Sequence, residues 1–240
     1  MLIIGHRGAM GYEPENTLRS FQRAIDLGVD MIEFDVHLCK TGKLVIIHDK
    51  KVNRTTNGRG LIKEKTLTEL KELDAGKGEK IPTLEEALDL IDKQVKVNIE
   101  LKGKNTAQKT CEIVSKYGMV DDVIFSASSI KPLLTVRKQI PQANTALIYV
   151  SIENLIYYNL FRFFSLILFP LTKIIILLLA KKSKVNYIHL DRVFVKKRFI
   201  KKLHDLGYKI NVWTIRKPEQ AEKMKKLGID GIFMNYPDKI

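Results

Sequence analysis

The chain alternates between short runs rich in Val and Ile and segments in which apolar residues recur at helical spacing. Such runs predict buried strands, and the segments between them predict helices, some of which end at a glycine, such as Gly28, Gly207 and Gly228. The predicted strands of a parallel sheet cover residues 2–4, 31–38, 95–101, 123–125, 145–150, 187–190, 209–214 and 231–234. Eight strands alternating with helices predict an α/β fold, the TIM (β/α)8 barrel.

The helices predicted between these strands cover residues 15–27, 84–91, 107–117, 196–206 and 218–227. A chain of 240 residues is long enough for one such barrel. We therefore expect a single domain spanning residues 1–240.

A further apolar run at residues 44–48 does not fit as a ninth barrel strand. Only residues 40–43 separate it from the preceding strand, and a connection that short permits only an antiparallel hairpin. Reflection of the chain about the turn between Thr41 and Gly42 predicts that His48 lies opposite Asp35.

Polar residues lie in or directly after the buried runs. They are His6, Arg7, Glu33, Asp35, His48, Glu100 and Lys102. A buried carboxylate or imidazole is unfavourable unless it is paired or binds a ligand. The set therefore predicts one site, and its composition suits a divalent metal and a phosphate ester.

Glu33, Asp35 and Glu100 offer hard oxygen ligands, and residues two apart on a strand share a face. Three carboxylates at the mouth of a barrel would repel one another without a cation such as Mg²⁺ or Ca²⁺. The alternative interpretation is ion pairing with Arg7 and Lys102.

His6 and His48 are predicted to act as a general base and a general acid, because imidazole titrates near neutrality. Arg7 and Lys102 can neutralise phosphate oxygens. Trp213 is interpreted either as an apolar wall for an alcohol or as part of the barrel core. The remaining histidines, His37, His189 and His204, are interpreted as structural, and His189 is kept as a secondary site candidate because it ends a strand.

The formal net charge of +14 favours an anionic partner. No nucleic-acid-binding motif is recognisable, and few aromatic residues lie among the basic ones, so nucleic acid is not expected. The two cysteines, Cys39 and Cys111, form no disulfide framework, and no signal peptide is expected, because the first residues lead directly into His6. We expect a cytoplasmic location.

Residues 151–184 form an insertion after the fifth barrel strand, and residues 155–180 are almost wholly apolar. A single membrane crossing would place adjacent barrel strands on opposite sides of a bilayer, so a re-entrant hairpin bent at Pro170 or interfacial helices are expected instead. Lys181, Lys182 and Lys184 would then meet anionic headgroups. The alternatives are a helix packed on the barrel or a surface buried in a dimer.

Eight motifs occur in order along the chain. They are His6-Arg7-Gly8, Glu15-Asn16-Thr17, Glu33-x-Asp35, His48-Asp49, Arg54-Thr55-Thr56, Ile81-Pro82-Thr83-Leu84, Asn98-x-Glu100-x-Lys102 and Val212-Trp213-Thr214. Together they resemble the glycerophosphodiester phosphodiesterase family, within the phospholipase-C-like phosphodiesterases. The resemblance covers residues 3–237 except about residues 150–185.

The resemblance implies a TIM barrel that cleaves glycerophosphodiesters to an alcohol and glycerol 3-phosphate with a divalent metal. It implies acid–base roles for His6 and His48, transition-state stabilisation by Lys102, and metal binding by Glu33, Asp35 and Glu100. The residues expected to bind substrate are Arg7, Asn16, Lys102 and Trp213. In this mechanism the glycerol 2-hydroxyl attacks phosphorus and water opens the resulting cyclic phosphate.

Two departures from the family pattern are visible. Ser126-Ala127-Ser128 stands where many relatives have Ser-Phe, and Asn235 stands where many have Asp. Neither is expected to touch the catalytic set. Lysophospholipase D-type activity at a membrane, and a catalytically silent membrane-bound binding module, are the alternative functions, and the oligomeric state is left open.

Overall fold

Eight parallel strands close into a barrel in the computed structural model, which describes residues 1–150 and 155–240. The strands of the sheet are β1 (Leu2–His6), β2 (Met31–Leu38), β3 (Leu44–Ile46), β4 (Lys96–Leu101), β5 (Val123–Ala127), β6 (Asn144–Tyr149), β7 (Tyr187–Asp191), β8 (Lys209–Ile215) and β9 (Gly231–Met234). Neighbours run in the order β1-β2-β4-β5-β6-β7-β8-β9, and β9 pairs with β1. The predicted TIM barrel is confirmed.

Helices connect successive barrel strands. They are α1 (Leu18–Asp26), α2 (Leu67–Glu72), α3 (Leu84–Ile91), α4 (Thr106–Lys116), α5 (Ile130–Gln139), α6 (Leu155–Ile167), α7 (Phe169–Ser183), α8 (Lys197–Asp205) and α9 (Pro218–Lys226). Capping boxes, in which Thr66 and Glu69, and Thr83 and Glu86, satisfy each other's backbone N–H groups, begin α2 and α3. Helices α2 and α5 were not predicted.

The main core lies between the strands and the surrounding helices, where Phe21, Phe34 and Phe125 are fully buried. A smaller apolar layer lies inside the barrel and contains Ile4, Met31, Ile124, Ala146 and Phe233. This layer fills the barrel below the carboxyl ends of the strands, so polar side chains at those ends face an opening at one end of the barrel.

The antiparallel hairpin of β2 and β3 is confirmed, but its predicted register is wrong by one residue. Val36 lies opposite Ile46, and the N–H of Ile47 donates to the carbonyl of Asp35 at 3.0 Å. The turn encloses three residues rather than two, and Gly42 takes its last position with φ of 73°. His48 therefore follows the paired residues instead of lying opposite Asp35.

The insertion follows β6, the fifth barrel strand, as predicted. Helices α6 and α7 meet at 107° around Leu168, two residues before Pro170. Within the described ranges, no single helix is long and apolar enough to cross a membrane, although the bent pair reaches that length and composition together. Residues 151–154 of the predicted insertion lie outside the described residues, and the division into one domain with an insertion stays a prediction.

Candidate active site

A small cavity of about 80 Å³ opens at the carboxyl ends of the barrel strands. Its lining contains His6, Arg7, Glu33, His48, Asn98, Glu100, Lys102, Ile148, His189, Trp213 and Phe233. Seven of the predicted site residues therefore share one space. They come from distant parts of the chain because the carboxyl ends of parallel strands meet at one face of a barrel.

The carboxylates are brought together by strand register. Glu33 and Asp35 lie two residues apart on β2, and β4 pairs with β2 so that Glu100 is beside Asp35. Oxygen atoms of the three carboxylates lie within 4.8 Å of one another. The three predicted metal ligands therefore form one cluster.

The ionisation of this cluster is unusual. Burial, reinforced by the charges of Asp35 and Glu100, raises the pKa of Glu33 well above its usual range. Burial also raises the pKa of Glu100. Asp35 behaves differently: burial opposes its ionisation, but the positive charges of Lys102, His48 and Arg7 hold its pKa below the usual range.

Two cations lie against these carboxylates without satisfying every oxygen. Lys102 Nζ is 2.6 Å from Glu100 and 3.4 Å from Asp35, and Arg7 Nε is 3.6 Å from Asp35. Asp35 Oδ1 is nevertheless buried without a hydrogen bond. Three crowded carboxylates, two of which have raised pKa values, fit a hard divalent cation, and the ion pairs with Lys102 and Arg7 coexist with that fit.

The backbone after β1 is shaped around Glu33. Arg7 adopts a φ of 52°, and its N–H donates to Glu33 Oε2 at 2.9 Å. At Gly8 a Cβ atom would lie 2.7 Å from the carbonyl oxygen of Ser20, so only glycine fits against α1. The turn thus fixes the position of Glu33 as well as that of the Arg7 side chain.

His6 is held by Asn235. Its Nδ1 lies 2.8 Å from Asn235 Oδ1, and its Nε2 lies 4.0 Å from Glu33 Oε2. Burial, together with the charge of Arg7, lowers the pKa of His6 to about 3, so its ring is neutral at pH 7. The expectation that Asn235 does not touch the catalytic set is therefore wrong. Asn235 directly follows the last residue of β9, and this position brings its side chain to His6.

A chain of ion pairs connects His48 to Arg7. His48 Nδ1 is 2.7 Å from Asp49 Oδ1, and Arg54 Nε donates to Asp49 Oδ2 at 2.8 Å. Arg54 also donates through both Nη atoms to Glu15, at 2.7 and 2.8 Å, and Glu15 accepts from Arg7 at 2.7 Å. The motifs containing Glu15, Asp49 and Arg54 were visible in the sequence, but no role was assigned to these three side chains.

Comparison with known proteins agrees with this arrangement. The model of the glycerophosphoryl diester phosphodiesterase family matches residues 6–239. The chain belongs to this family. Its members include enzymes of the class that the motifs indicated, so the chain is a phosphoric diester hydrolase of the glycerophosphodiester phosphodiesterase type.

Relatives match along nearly the whole chain. A glycerophosphodiester phosphodiesterase of Caldanaerobacter subterraneus is 36% identical, and the alignment covers 100% of this chain and 96% of the relative. The structure of an Oleispira antarctica phosphodiesterase in complex with sn-glycerol-3-phosphate is 27% identical with a TM-score of 0.81, covering 99% of this chain and 94% of the other. The human lysophospholipase D GDPD1 is more distant, at 25% identity over 99% of this chain and 84% of its own length.

Asn16 and Asp35 are the two predicted site residues that lie behind the cavity lining. Asn16 is buried, has a φ of 58°, and donates through Nδ2 to Asp35 Oδ2 at 2.9 Å. It does not line the small cavity. Asn16 orients a predicted metal ligand of this family member, and its role in substrate binding stays a prediction.

Trp213 and His189 form part of the cavity wall. Trp213, near the end of β8, lines the cavity and also packs against the apolar layer inside the barrel, so both interpretations of this residue stay open. His189, the secondary candidate among the remaining histidines, also lines the cavity. Its Nε2 lies 3.2 Å from Asn211 Nδ2, and burial lowers its pKa to about 3, so it contributes a neutral ring to the wall.

The insertion contacts this wall from outside. The Tyr158 hydroxyl donates to Asp191 at the end of β7, and Arg162 Nε lies 3.7 Å from the same carboxylate. The rings of Tyr158 and Trp213 are 6.2 Å apart. Helix α6 therefore packs beside the mouth of the phosphodiesterase site.

Proposed function

We propose that the chain hydrolyses glycerophosphodiesters to an alcohol and glycerol 3-phosphate in a metal-dependent reaction with a histidine acid–base pair. The observation that carries the proposal is the single cavity shared by His6, His48, Lys102 and the carboxylates of Glu33 and Glu100. A neutral imidazole, a second imidazole, buried cations and a cation-binding cluster are the groups that phosphoryl transfer needs.

The first step is attack of the glycerol 2-hydroxyl on phosphorus. Arg7 and Lys102 orient the phosphate and balance charge as it develops on the oxygens. His6, which is neutral, accepts the proton of the 2-hydroxyl, and Asn235 holds its other ring nitrogen. Glu33, Asp35 and Glu100 would hold a divalent cation, which would supply further positive charge to the site.

The second step releases the alcohol and restores the enzyme. His48 donates a proton to the leaving alkoxide as the P–O bond breaks, which leaves a cyclic phosphate of glycerol. Water then attacks the cyclic phosphate with the two histidines in reversed roles, and glycerol 3-phosphate results. Asp49, Arg54 and Glu15 hold His48 and Arg7 in a fixed relation during both steps.

The product assay is the direct test. With Mg²⁺ or Ca²⁺, we expect release of glycerol 3-phosphate from glycerophosphocholine, and we expect a chelator to abolish it. Release that persists after complete removal of divalent metal would contradict the metal dependence. A folded, metal-loaded protein that releases nothing would instead support the catalytically silent binding module, which the intact residue set of the cavity argues against.

A second candidate function, action on lysophospholipids at an anionic membrane, is favoured by the polarity of the insertion. In α6 the inward positions are Tyr158, Arg162 and Ser165, which are partly or wholly buried. Apart from Asn159, the outward positions are aromatic and aliphatic. Thirteen of the eighteen exposed large apolar side chains among the described residues lie between Ile156 and Leu178. This polarity is the reverse of that of a helix packed on a barrel in water.

Basic residues adjoin this apolar surface. Lys181, Lys182 and Lys184 follow its apolar part, and the first two lie in the last turn of α7. Lysines beside an apolar face attract anionic headgroups while the face enters the boundary of the acyl chains. We therefore propose that an anionic bilayer surface covers α6 and α7 and holds the mouth of the site close to lipid substrates.

Vesicle flotation tests this membrane contact. We expect the chain to float with vesicles containing phosphatidylglycerol and to float less with pure phosphatidylcholine. Combined replacement of Phe163, Phe164 and Ile167 by Gln is expected to weaken vesicle binding about tenfold or more, because exposed apolar area is lost.

The matched control replaces Leu134, Leu206 and Ile240, which are exposed elsewhere, by Gln and should leave flotation unchanged. Absence of flotation, with a dimer that the α6 replacements dissociate, would show that a second copy covers the face. Hydrolysis of lysophosphatidylcholine at the same rate with and without vesicle binding would argue against the lipid-substrate function.

A further inference from the structure

A groove lined by lysines adjoins the active site. It consists of two cavities, of about 680 Å³ and about 470 Å³, which share Lys102, Lys104 and Asn105. We call this space the lysine groove, and its basic lining residues are Lys40, Lys50, Lys63, Lys102, Lys104 and Lys131. Among the described residues, no Asp or Glu lines either cavity.

The lysine groove opens on one side of the barrel mouth. His37 and Leu38 near the end of β2, the residues after β4, and Ser128 after β5 border it. The insertion contacts the ends of β7 and β8, which lie across the barrel from β2 and β4. The mouth therefore has a cationic side and, opposite to it, an aromatic side.

Lys102 joins the lysine groove to the small catalytic cavity, because it lines both. Its Nζ ion-pairs with Glu100 and Asp35, so a phosphate reacting at the carboxylate cluster lies beside the entrance of the groove. A substituent of that phosphate that extends past Lys102 enters a space several times larger than the catalytic cavity.

The proposed acid for the leaving alcohol, His48, lies on the side of the lysine groove. His37 lines the lysine groove and donates through Nε2 to the carbonyl of His48 at 3.1 Å. His48, the proposed acid for the leaving alkoxide, therefore stands on the groove side of the cavity. The glycerol that carries the attacking hydroxyl must stay near His6 on β1.

We propose that the preferred substrates are glycerophosphodiesters whose leaving alcohol itself carries a phosphate. The inference rests on the proposed function and specifies its substrate class. Among the described residues the groove is lined by lysines and by no Asp or Glu, although Lys102 itself ion-pairs with Glu100 and Asp35. Such a lining favours a dianionic group and disfavours a cationic headgroup such as choline. The alcohol can be a glycerol phosphate or an inositol phosphate, since both place a phosphate one alcohol away from the reacting phosphorus.

The test compares three diesters by loss of the diester ³¹P signal: glycerophosphocholine, glycerophospho-glycerol phosphate and glycerophosphoinositol phosphate. We expect kcat/KM for at least one phosphate-bearing diester to exceed that for glycerophosphocholine by about tenfold at low salt, and the ratio to fall as salt screens the lysines. The better of the two phosphate-bearing diesters identifies the source of the phosphate.

A charge-neutral variant assigns the preference to the groove. The triple variant Lys40→Gln, Lys63→Gln, Lys104→Gln is expected to lower the preference ratio about tenfold, the combined effect of three exposed ion pairs. The matched control, Lys223→Gln, Lys225→Gln, Lys226→Gln, removes the same charge from α9 and is expected to keep the ratio.

The possible results separate the two proposals. Equal effects of the two triple variants, or no preference for either phosphate-bearing diester while glycerophosphocholine is hydrolysed, would overturn the groove assignment and leave the proposed function intact. Failure of the metal-loaded, folded protein to hydrolyse any of the three diesters would overturn both.

Discussion

We expect His6→Ala and His48→Ala each to lower kcat for glycerophosphocholine by about 10²–10⁴-fold, the usual contribution of a positioned general acid or base. Both rings line the catalytic cavity. Each is held through Nδ1, His6 by Asn235 and His48 by Asp49, so each directs Nε2 to the reaction. Steady-state release of glycerol 3-phosphate measures the loss.

The leaving group distinguishes the two roles. A p-nitrophenyl diester of glycerol 3-phosphate releases a phenolate that needs no proton. We therefore expect it to restore most of the activity of His48→Ala. His6→Ala should stay impaired with this substrate, because the 2-hydroxyl still has to lose its proton to a base.

His204→Ala is the matched control, since His204 bonds to Asp230 at 2.8 Å on the outside of the barrel. It should retain the activity of the unmodified chain with both substrates. Equal recovery of both active-site variants with the p-nitrophenyl diester would refute the assignment, and recovery of His6→Ala alone would reverse the two roles.

The sequence predicts the barrel because its signals are local. Apolar runs and glycine stops repeat along the chain, and the predicted bounds of α3, β2 and β9 agree with the observed ones. Helix α5 was not predicted, although Pro132 is compatible with a helix there, since proline in the first turn removes no intrahelical hydrogen bond. The predicted register of the hairpin was wrong because the number of residues in the turn depends on the positive φ of Gly42. The spacing of the apolar residues does not reveal this angle.

The site was predictable where a residue lies on a strand end and not where it reaches the site through a loop. Glu33, Asp35 and Glu100 meet because strand pairing fixes them side by side. Arg54, by contrast, lies in a loop 39 residues from Glu15, and no periodicity places its guanidinium between Glu15 and Asp49. Contacts of this kind depend on how far side chains reach across irregular segments, and local sequence patterns do not predict that.

We expect Glu33→Gln to inactivate the enzyme by at least about 10²-fold while leaving the metal-free chain as stable as before, or more so. Burial, reinforced by the charges of Asp35 and Glu100, raises the pKa of Glu33. A Gln side chain still offers an oxygen to the N–H of Arg7, which now donates to Glu33 Oε2. The substitution thus removes repulsion from the fold and a ligand from the predicted metal site.

Metal binding gives a readout that does not depend on turnover. A ligand at 100 times its Kd stabilises a fold by about 2.7 kcal/mol, which corresponds to a rise in Tm of about 5–10 °C for a chain of this size. We expect this rise on addition of Mg²⁺ or Ca²⁺ to the unmodified chain in differential scanning calorimetry. The Glu33→Gln chain should show little of it.

The sign of the pH dependence follows from the raised pKa. A carboxyl whose pKa is higher in the folded chain contributes stability below its ordinary pKa of 4.5, and that stability is lost as the pH rises through the folded value. In chelator, the Tm difference between Glu33→Gln and the unmodified chain should therefore grow in favour of the variant as the pH rises above 4.5.

The matched control is Glu222→Gln, which changes an exposed carboxylate on α9 and should alter neither the metal response nor the pH profile. A Glu33→Gln chain that is less stable in chelator at every pH would show that Glu33 serves the fold through its ion pairs. An unchanged rise in Tm with metal would show that the cation binds elsewhere. Loss of the rise together with higher metal-free stability would show that this carboxylate is retained for the cation at the expense of the fold.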